Sequence, residues 1–314
     1  TIKTKQNLFG SNNDKVIVKN GTIESVGNSL QPPVWVTSYY MTDEAVGLEL
    51  ENVTVIGHAE DGKQGAAVGA NNKNVKLTNC VFYGSVDLKK GAKVYGCTFH
   101  TAYGTNEPTH SLGAEKVKSL ADLLPDGYAF RAADGKIYSG ENHSVFNEDV
   151  TVVPHTHTME DGKCTGCDKY YRSVLMSGGT KEYSDDIIAL IAKAQESTDE
   201  NCTVKLLGNI TYFDGEYENI VIDKGNFTLD LGDSRLRFEG AEPVITIGAG
   251  SLTITADGEK GGIYSKNATV IRCSDYYGAT GFLNIKNGTF HCDSQYISSA
   301  VLDGAHSKIE GGYY

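Results

Sequence analysis

The sequence predicts a mostly β protein whose strands form a parallel β-helix, a solenoid in which each coil stacks on the previous one. Three observations predict it: an eight-residue phrase recurs six times, its apolar and polar residues alternate, and its copies are unequally spaced. The copies begin at Val16, Leu48, Val75, Ala92, Leu283 and Ser307. The first and third places are mostly apolar, the second and fourth mostly polar, and the fifth is always Asn or Gly.

Each phrase predicts a strand, a sharp corner and a second strand. Alternation places one face of a strand in the core and the other in water. Asn and Gly accept a left-handed backbone at low steric cost, so the fifth place is the corner. The corners fall at positions 20, 52, 79 and 96, then 287 and 311, which are 32, 27, 17 and 24 residues apart within each series. Unequal spacing is typical of solenoid coils with insertions at one edge.

The chain is predicted to divide into three segments. Residues 1–112 form a first β-helix, residues 113–181 a small α+β module, and residues 182–314 a second β-helix that begins with a helix. Ser184 is expected to cap this helix, whose apolar face comprises Ile187, Leu190, Ile191 and Ala194. The helix is placed to cover the first open coil, although a plain linker helix fits the same pattern.

Two weaker signals lie in the central module. Val117–Leu124 has apolar residues at helical spacing and is expected to close the first solenoid. Tyr128–Arg131 and Lys136–Tyr138 flank Asp134-Gly135, which predicts a β-hairpin.

Composition restricts the partners. The 314-residue chain has a formal charge of −12 and a pI near 5.1, which excludes nucleic acid and anionic membranes as expected partners. The longest apolar run, Ile187–Ala192, is too short to cross a bilayer, so no membrane insertion is expected within this chain. Both ends fall near or inside a repeat, and we expect a fragment of a longer secreted protein.

The seven cysteines include two at equivalent places of consecutive repeats. Cys80 and Cys97 both occupy the sixth place, so their side chains should stack about 4.8 Å apart in adjacent coils. Buried reduced thiols and a disulfide are both compatible with this arrangement.

A His/Cys cluster in the central module predicts a metal site. Alternation places His155 and His157 on one face of a strand, and Cys164 and Cys167 form a Cys-x-x-Cys pair beyond the Asp161-Gly162 turn. Two imidazoles and two thiolates are the closed tetrahedral set of structural zinc. A disulfide or redox pair of the two cysteines, or no special role, remain the alternatives.

Two groups of residues are candidates for chemistry or binding. Asp230, Asp233, Arg235 and Arg237 lie near one outer wall and could bind a uronate and abstract a proton, although solvated strand faces often carry such charges. The aromatic residues of the segments between repeats could stack on sugars or anchor a protein, or simply pack the loops. These are Trp35, Tyr39, Tyr40, Tyr276 and Tyr277.

The repeat style carries a family resemblance. The corner Asn287–Phe290, the strand Thr203–Ile210 after the helix, and Ser251–Ile254 resemble large surface proteins of anaerobic Gram-positive bacteria with pectin-lyase-like β-helices. The segment from His155 to Cys167 looks like a His/Cys module of such proteins, often with Cys in place of His155, and this exchange of ligand types favours metal over a disulfide.

The resemblance implies a right-handed β-helix, a secreted or cell-surface location and an adhesive role. The hypothesis favoured by the sequence is therefore a non-catalytic surface protein that binds glycans or host proteins. A polysaccharide lyase or glycoside hydrolase using Asp230 and Asp233, and a structural stalk, are the alternatives.

Overall fold

The computed structural model describes fourteen stretches of the chain. They are residues 1–5, 8–11, 15–26, 32–36, 47–58, 65–70, 72–89, 91–100, 112–115, 119–213, 219–273, 280–293, 302–304 and 307–312. Within these residues the protein is mostly β, as predicted, with one α-helix and one 3₁₀ turn. Contacts divide the chain into two units, Thr1–Thr158 with Cys164–Lys169, and Met159–Lys163 with Tyr170–Tyr314.

The first unit contains sixteen complete strands in the described residues. They are β1 (Ile2–Thr4), β2 (Phe9–Ser11), β3 (Lys15–Ser25), β4 (Val34–Val36), β5 (Gly47–Ile56), β6 (Ala66–Ala70), β7 (Val75–Thr78), β8 (Val81–Tyr83), β9 (Ser85–Lys89), β10 (Lys93–Tyr95), β11 (Thr98–His100), β12 (Leu112–Glu115), β13 (Tyr128–Ala132), β14 (Ile137–Tyr138), β15 (Val145–Phe146) and β16 (Val150–Pro154). Two short strands, β17 (Met159–Glu160) and β18 (Lys163–Cys164), follow.

Two sheets of the first unit grow by parallel stacking. One runs β1-β3-β5-β8-β11, with β7 on β5 and β10 on β7, and the other runs β2-β4-β6-β9-β12. Each stack ends on an antiparallel strand: β16 pairs with β11, and β15 pairs with β12. The predicted hairpin is confirmed, because β13 and β14 pair antiparallel across a turn at Gly135.

The left-handed corners of the first series are confirmed. Asn20, Asn52 and Asn79 have φ of 60°, 54° and 51°, and Gly96 has φ of 60°. The strands β3 and β5 run through their corners in register, and the Asn52 side-chain amide donates to Asn20 Oδ1 at 3.3 Å. Equivalent residues of these two paired strands therefore lie next to one another.

The inward places of the first series form a continuous core. Leu50, Leu77 and Val94 are fully buried, and the rings of Phe82 and Phe99 stack with centroids 5.2 Å apart. Cys80 and Cys97 are buried free thiols, and the Cys80 N–H donates to Cys97 Sγ at 3.3 Å. The predicted stacking of these two residues is confirmed, with both sulfurs reduced.

Besides β17, the second unit contains fifteen complete strands in the described residues. They are β19 (Ser173–Ser177), β20 (Thr180–Ser184), β21 (Thr203–Leu206), β22 (Ile210–Tyr212), β23 (Ile220–Ile222), β24 (Asn226–Asp230), β25 (Arg235–Phe238), β26 (Ile245–Ile247), β27 (Ser251–Thr255), β28 (Gly262–Ser265), β29 (Ile271–Cys273), β30 (Phe282–Ile285), β31 (Thr289–Cys292), β32 (Leu302–Gly304) and β33 (Ser307–Ile309).

Three parallel stacks organise these strands. Their orders are β21-β24-β27-β30-β33, β22-β25-β28-β31 and β23-β26-β29-β32, and none of the sheets is closed. The chain visits the three stacks in the same order each time, adding one strand to each. Leu229, Ile254 and Ile285 share one register row and are completely buried, which shows how apolar places stack into the core.

The corners of the second series differ in detail from the prediction. Positive φ was expected at Asn287 and Gly311 but falls one residue later, at Gly288 and Gly312, both with φ of 130°. Glycine adopts this conformation because it has no Cβ, so the sixth-place glycine takes the turn. A further corner lies at Gly250, which has φ of 76° and where a Cβ would lie 2.6 Å from backbone atoms of Lys224.

The single α-helix, α1 (Ile187–Gln195), buries the predicted face of Ile187, Leu190, Ile191 and Ala194. The expected cap was wrong: Asp186 is the N-cap, accepting the Ala189 N–H at 3.1 Å, while Ser184 ends β20. The helix packs on the core, but its backbone does not pair with the edge of the stack. That edge is covered by β19, which pairs antiparallel with β21.

The second predicted helix is only one turn. A 3₁₀ turn spans Leu120–Leu123, and Ser119 caps it by accepting the Ala121 N–H. Leu120 and Leu123 join the core of the first unit. Val117 lies outside the described residues.

The corner at position 52 provides a test of its left-handed backbone. We expect Asn52→Val to lower the free energy of unfolding by about 1–2 kcal/mol, because a β-branched residue clashes with its own backbone at positive φ. Asn52→Gly should change the stability much less. Urea unfolding of the three proteins measures this, and equal losses in both variants would contradict the assignment.

Candidate metal centre

The two histidines follow directly from β16. Directly after Pro154, the His155 N–H donates to the Gly127 carbonyl at 2.8 Å. His155 and His157 are two residues apart and share one face, as predicted, with ring centroids 4.8 Å apart and an interplanar angle of 80°. The edge-on arrangement directs both imidazoles toward one region.

A tight turn brings the cysteines back toward the histidines. Asp161 and Gly162 have φ of 46° and 81°, and they separate the short strands β17 and β18. Asp and Gly are among the residues that accept this conformation most readily. The turn therefore places Cys164, at the end of β18, next to the histidine segment.

The Cys-x-x-Cys loop directs backbone N–H groups at both sulfurs. Gly166 donates to Cys164 Sγ at 3.4 Å, and Lys169 donates to Cys167 Sγ at 3.5 Å. Hydrogen bonds of this kind favour the thiolate over the thiol. The loop is thus shaped to hold negatively charged sulfur.

The four predicted ligands come together. Cys164 Sγ lies 3.6 Å from His155 Nε2, and Cys167 Sγ lies 3.4 Å from His157 Nδ1. All four ligand atoms lie within 4.8 Å of one another, and all four residues belong to the first unit. This cluster could hold a metal ion.

The electrostatics of the cluster favour metal-binding protonation states at two positions. Burial and the nearby Lys169 lower the pKa of His157, which favours the neutral imidazole that a metal requires. Burial opposes ionisation of Cys164, but N–H donation from Gly166 and the Cys167 thiol outweigh it and lower the pKa of Cys164. Burial raises the pKa of Cys167 to about 11, and the adjacent Cys164 contributes to that rise.

Neighbouring side chains hold the loop in place. The Asp168 carboxylate accepts the Ser139 N–H at 2.5 Å and lies 3.3 Å from His143 Nε2. Lys169 pairs with Glu141. A Cβ at Gly166, between the cysteines, would lie 3.1 Å from His155 Cε1, so a larger residue there would press on that imidazole. These supporting contacts were not predicted, because they join segments about 30 residues apart.

Of the candidate aromatic residues, the structure describes Trp35. It lies on β4, is 39% exposed, and covers Gly69 on the adjacent strand β6, where a Cβ would lie 2.6 Å from the indole ring. The glycine therefore makes room for the ring. The other four candidates, Tyr39, Tyr40, Tyr276 and Tyr277, lie outside the described residues.

The candidate outer-wall residues do not share a wall. Asp230 ends β24, whereas Arg235 and Arg237 lie on β25 in a different sheet, beyond a corner at Gly232. Asp230 pairs with Lys205 at 3.0 Å and raises the pKa of that lysine. Asp233 is an exposed residue of the turn between the two strands. Alternation placed these side chains outward correctly but did not reveal the change of sheet.

Sequence reasoning also missed a groove on the outer face of the stack β22-β25-β28-β31. Its volume is about 370 Å³, and its lining comprises Asn209, Thr211, Arg235, Arg237, Tyr264, His291 and Asp293. The residues lie on or next to four strands that are far apart in the chain, so only alignment of equivalent positions of those strands could have found them.

Comparison with known proteins identifies no relative. No protein family, no curated protein and no solved structure matches this chain. Among the described residues, no helix has the length and apolar character needed to span a membrane. Functional inference therefore depends on the local geometry.

The cluster predicts a metal-dependent stability. Purified protein should contain one metal ion per chain, and removal by a chelator should lower the Tm. Cys167→Ala should reduce both the metal content and the Tm, because one of four ligands is lost. Thr165→Ala, a change at an exposed residue between the two cysteines, should alter neither.

Elemental analysis and thermal unfolding with and without chelator are the measurements. A metal-free protein whose Tm is unchanged by chelation would contradict the site.

Proposed function

We propose that this chain is a right-handed parallel β-helix protein, secreted or on the cell surface, that binds glycans or host proteins without catalysis and carries a structural zinc ion. The observation that carries the proposal is the in-register stacking of exposed polar and aromatic side chains on long outer walls. The surface location is what the resemblance to surface proteins with pectin-lyase-like β-helices implies.

The order of strands supports the solenoid. In the second unit, successive strands β24, β25 and β26 are followed by β27, β28 and β29 on the same three stacks, all in parallel. A β-helix is the simplest path that repeats such an order. Crossover connections between parallel strands are right-handed in about 98% of cases, which supports a right-handed rather than a left-handed β-helix.

The spacing of the ligand atoms supports zinc. Zinc–sulfur and zinc–nitrogen distances of about 2.3 and 2.05 Å in a tetrahedron give a sulfur–nitrogen separation of about 3.6 Å. The two observed separations are 3.6 and 3.4 Å. Magnesium and calcium prefer oxygen ligands, whereas two thiolates and two imidazoles suit zinc.

The ligand set supports a structural role for the ion. Catalytic zinc sites keep a position open for water or substrate, whereas four protein ligands close the shell. Both cysteines are free thiols, and each lies beside an imidazole. This pairing favours the metal over the alternative of a disulfide between Cys164 and Cys167.

The position of Asp230 favours binding over catalysis. Its carboxylate is engaged by Lys205 and accepts the Gly232 N–H at 3.0 Å. Arg235 and Arg237 lie on the next sheet, so the arrangement proposed for a lyase or hydrolase is not assembled.

A glycan array combined with a polyuronate cleavage assay tests the proposal. We expect binding to at least one glycan class and no cleavage of polyuronate. Cleavage that disappears in Asp230→Asn would instead establish the enzyme, with Asp126→Asn, a change at an exposed residue of the first unit, as the matched control. If the protein shows neither binding nor cleavage, the structural stalk is the remaining alternative.

A further inference from the structure

The groove on the outer face of β22, β25, β28 and β31 is a row of side chains in strict register. Thr211 pairs with Arg237, Arg237 with Tyr264, and Tyr264 with His291. Neighbouring strands lie about 4.8 Å apart, so the row extends roughly 14 Å across the coils. Such an open, elongated groove suits a linear ligand.

The groove is cationic on a chain that is strongly acidic. Two guanidiniums and one carboxylate, that of Asp293, line it, while the whole chain carries a charge of −12. Arg235 has no ion-pair partner among the residues that the structure describes. Arg237 lies 3.3 Å from Glu239, but Lys266 shares that carboxylate at 3.2 Å. The positive charge is therefore incompletely neutralised.

The two arginines are held apart and directed outward. They stand two residues apart on β25, about 6.5 Å along the strand, and both are exposed. The Arg235 backbone N–H donates to Asn209 Oδ1 at 2.8 Å, and its guanidinium lies over the Tyr264 ring, 5.4 Å from the centroid. Each guanidinium can bind a planar or tetrahedral anion through two N–H donors.

The remaining lining suits a sugar. Tyr264 offers a partly exposed aromatic ring, which can cover the apolar face of a pyranose. The Asp293 carboxylate, 2.7 Å from His291 Nε2, and the Thr211 hydroxyl can exchange hydrogen bonds with sugar hydroxyls. Anion binding and ring contact are thus combined in one groove.

We propose that this groove is the binding site for an acidic polysaccharide, with Arg235 and Arg237 each contacting an anionic substituent and Tyr264 stacking on a sugar ring. The inference rests on the proposed glycan-binding function and names both its site and its ligand class. Sulfate and carboxylate groups share the chemistry that the arginines recognise.

Binding of heparin, polygalacturonate and neutral dextran to the full chain tests the proposal. We expect the protein to bind at least one of the two acidic polymers more tightly than dextran. The double variant Arg235→Gln/Arg237→Gln should weaken that binding by about tenfold or more, since charge-assisted hydrogen bonds are lost. Preference for heparin would identify sulfate, and preference for polygalacturonate would identify carboxylate.

Two controls separate a specific site from general charge attraction. Lys224→Gln/Lys286→Gln removes the same charge from exposed positions outside the groove and should leave the affinity nearly unchanged. Tyr264→Ser should weaken binding severalfold although it removes no charge. Equal losses in both double variants would overturn the inference, as would unchanged affinity in the arginine variant.

The result also distinguishes this inference from the function on which it rests. If glycan binding survives the arginine substitutions, the groove is not the binding site, but the proposed glycan-binding function stands. Failure of the unaltered protein to bind any glycan, together with no host-protein binding, would remove the proposed function itself. Thermal unfolding of each variant verifies that the fold is intact.

Discussion

The left-handed corner is the constraint on which the first unit depends. At Asn20, Asn52, Asn79 and Gly96 the chain changes direction at the same place of each repeat. This fixes which residue of one strand faces which residue of the neighbouring strand. Because side chains alternate along a strand, a slip of one residue would transfer the apolar places from the core to water. Hydrophobic burial and corner geometry therefore select the same register.

Parallel stacking creates a second requirement: the backbone groups at the outer edge of the last strand of each stack must be paired or covered. An exposed strand edge offers unpaired N–H and C=O groups to other chains. Antiparallel strands satisfy these groups where β16 joins β11, where β15 joins β12, and where β19 joins β21. The helix α1 covers the adjacent apolar core instead. Covering the backbone edge and covering the core are separate tasks, performed here by different elements.

Local patterns predicted those features that depend on neighbouring residues. The corners, the buried face of α1 and the four ligands at His155, His157, Cys164 and Cys167 all follow from short-range spacing. The cap at Asp186 was missed because Ser184 offered an equally good local signal. The contact of Asp168 with His143 was missed because it depends on how distant segments meet.

The change of sheet between Asp230 and Arg235 shows the same limit at the candidate binding surfaces. Both residues point outward, as alternation predicts, but Gly232 turns the chain between them. Arg237 instead lies beside Tyr264, and Tyr264 lies beside His291; these two residues are 27 and 54 positions beyond Arg237 in the chain. Stacking thus assembles a surface from residues that no single repeat contains, and the register determines its composition.

The most direct test of that register is disulfide formation between paired outward positions. Thr228 and Thr253 are partners on β24 and β27, so their Cα atoms should be about 4.8 Å apart, within disulfide range. Thr228 and Thr255 are offset by two residues, and their Cα atoms should be about 8 Å apart, beyond that range. Two double variants are compared after mild oxidation, and their cross-linked peptides are identified by mass spectrometry. The disulfide should form efficiently in Thr228→Cys/Thr253→Cys and poorly in Thr228→Cys/Thr255→Cys. Equal or preferred cross-linking of the offset pair would contradict in-register parallel stacking.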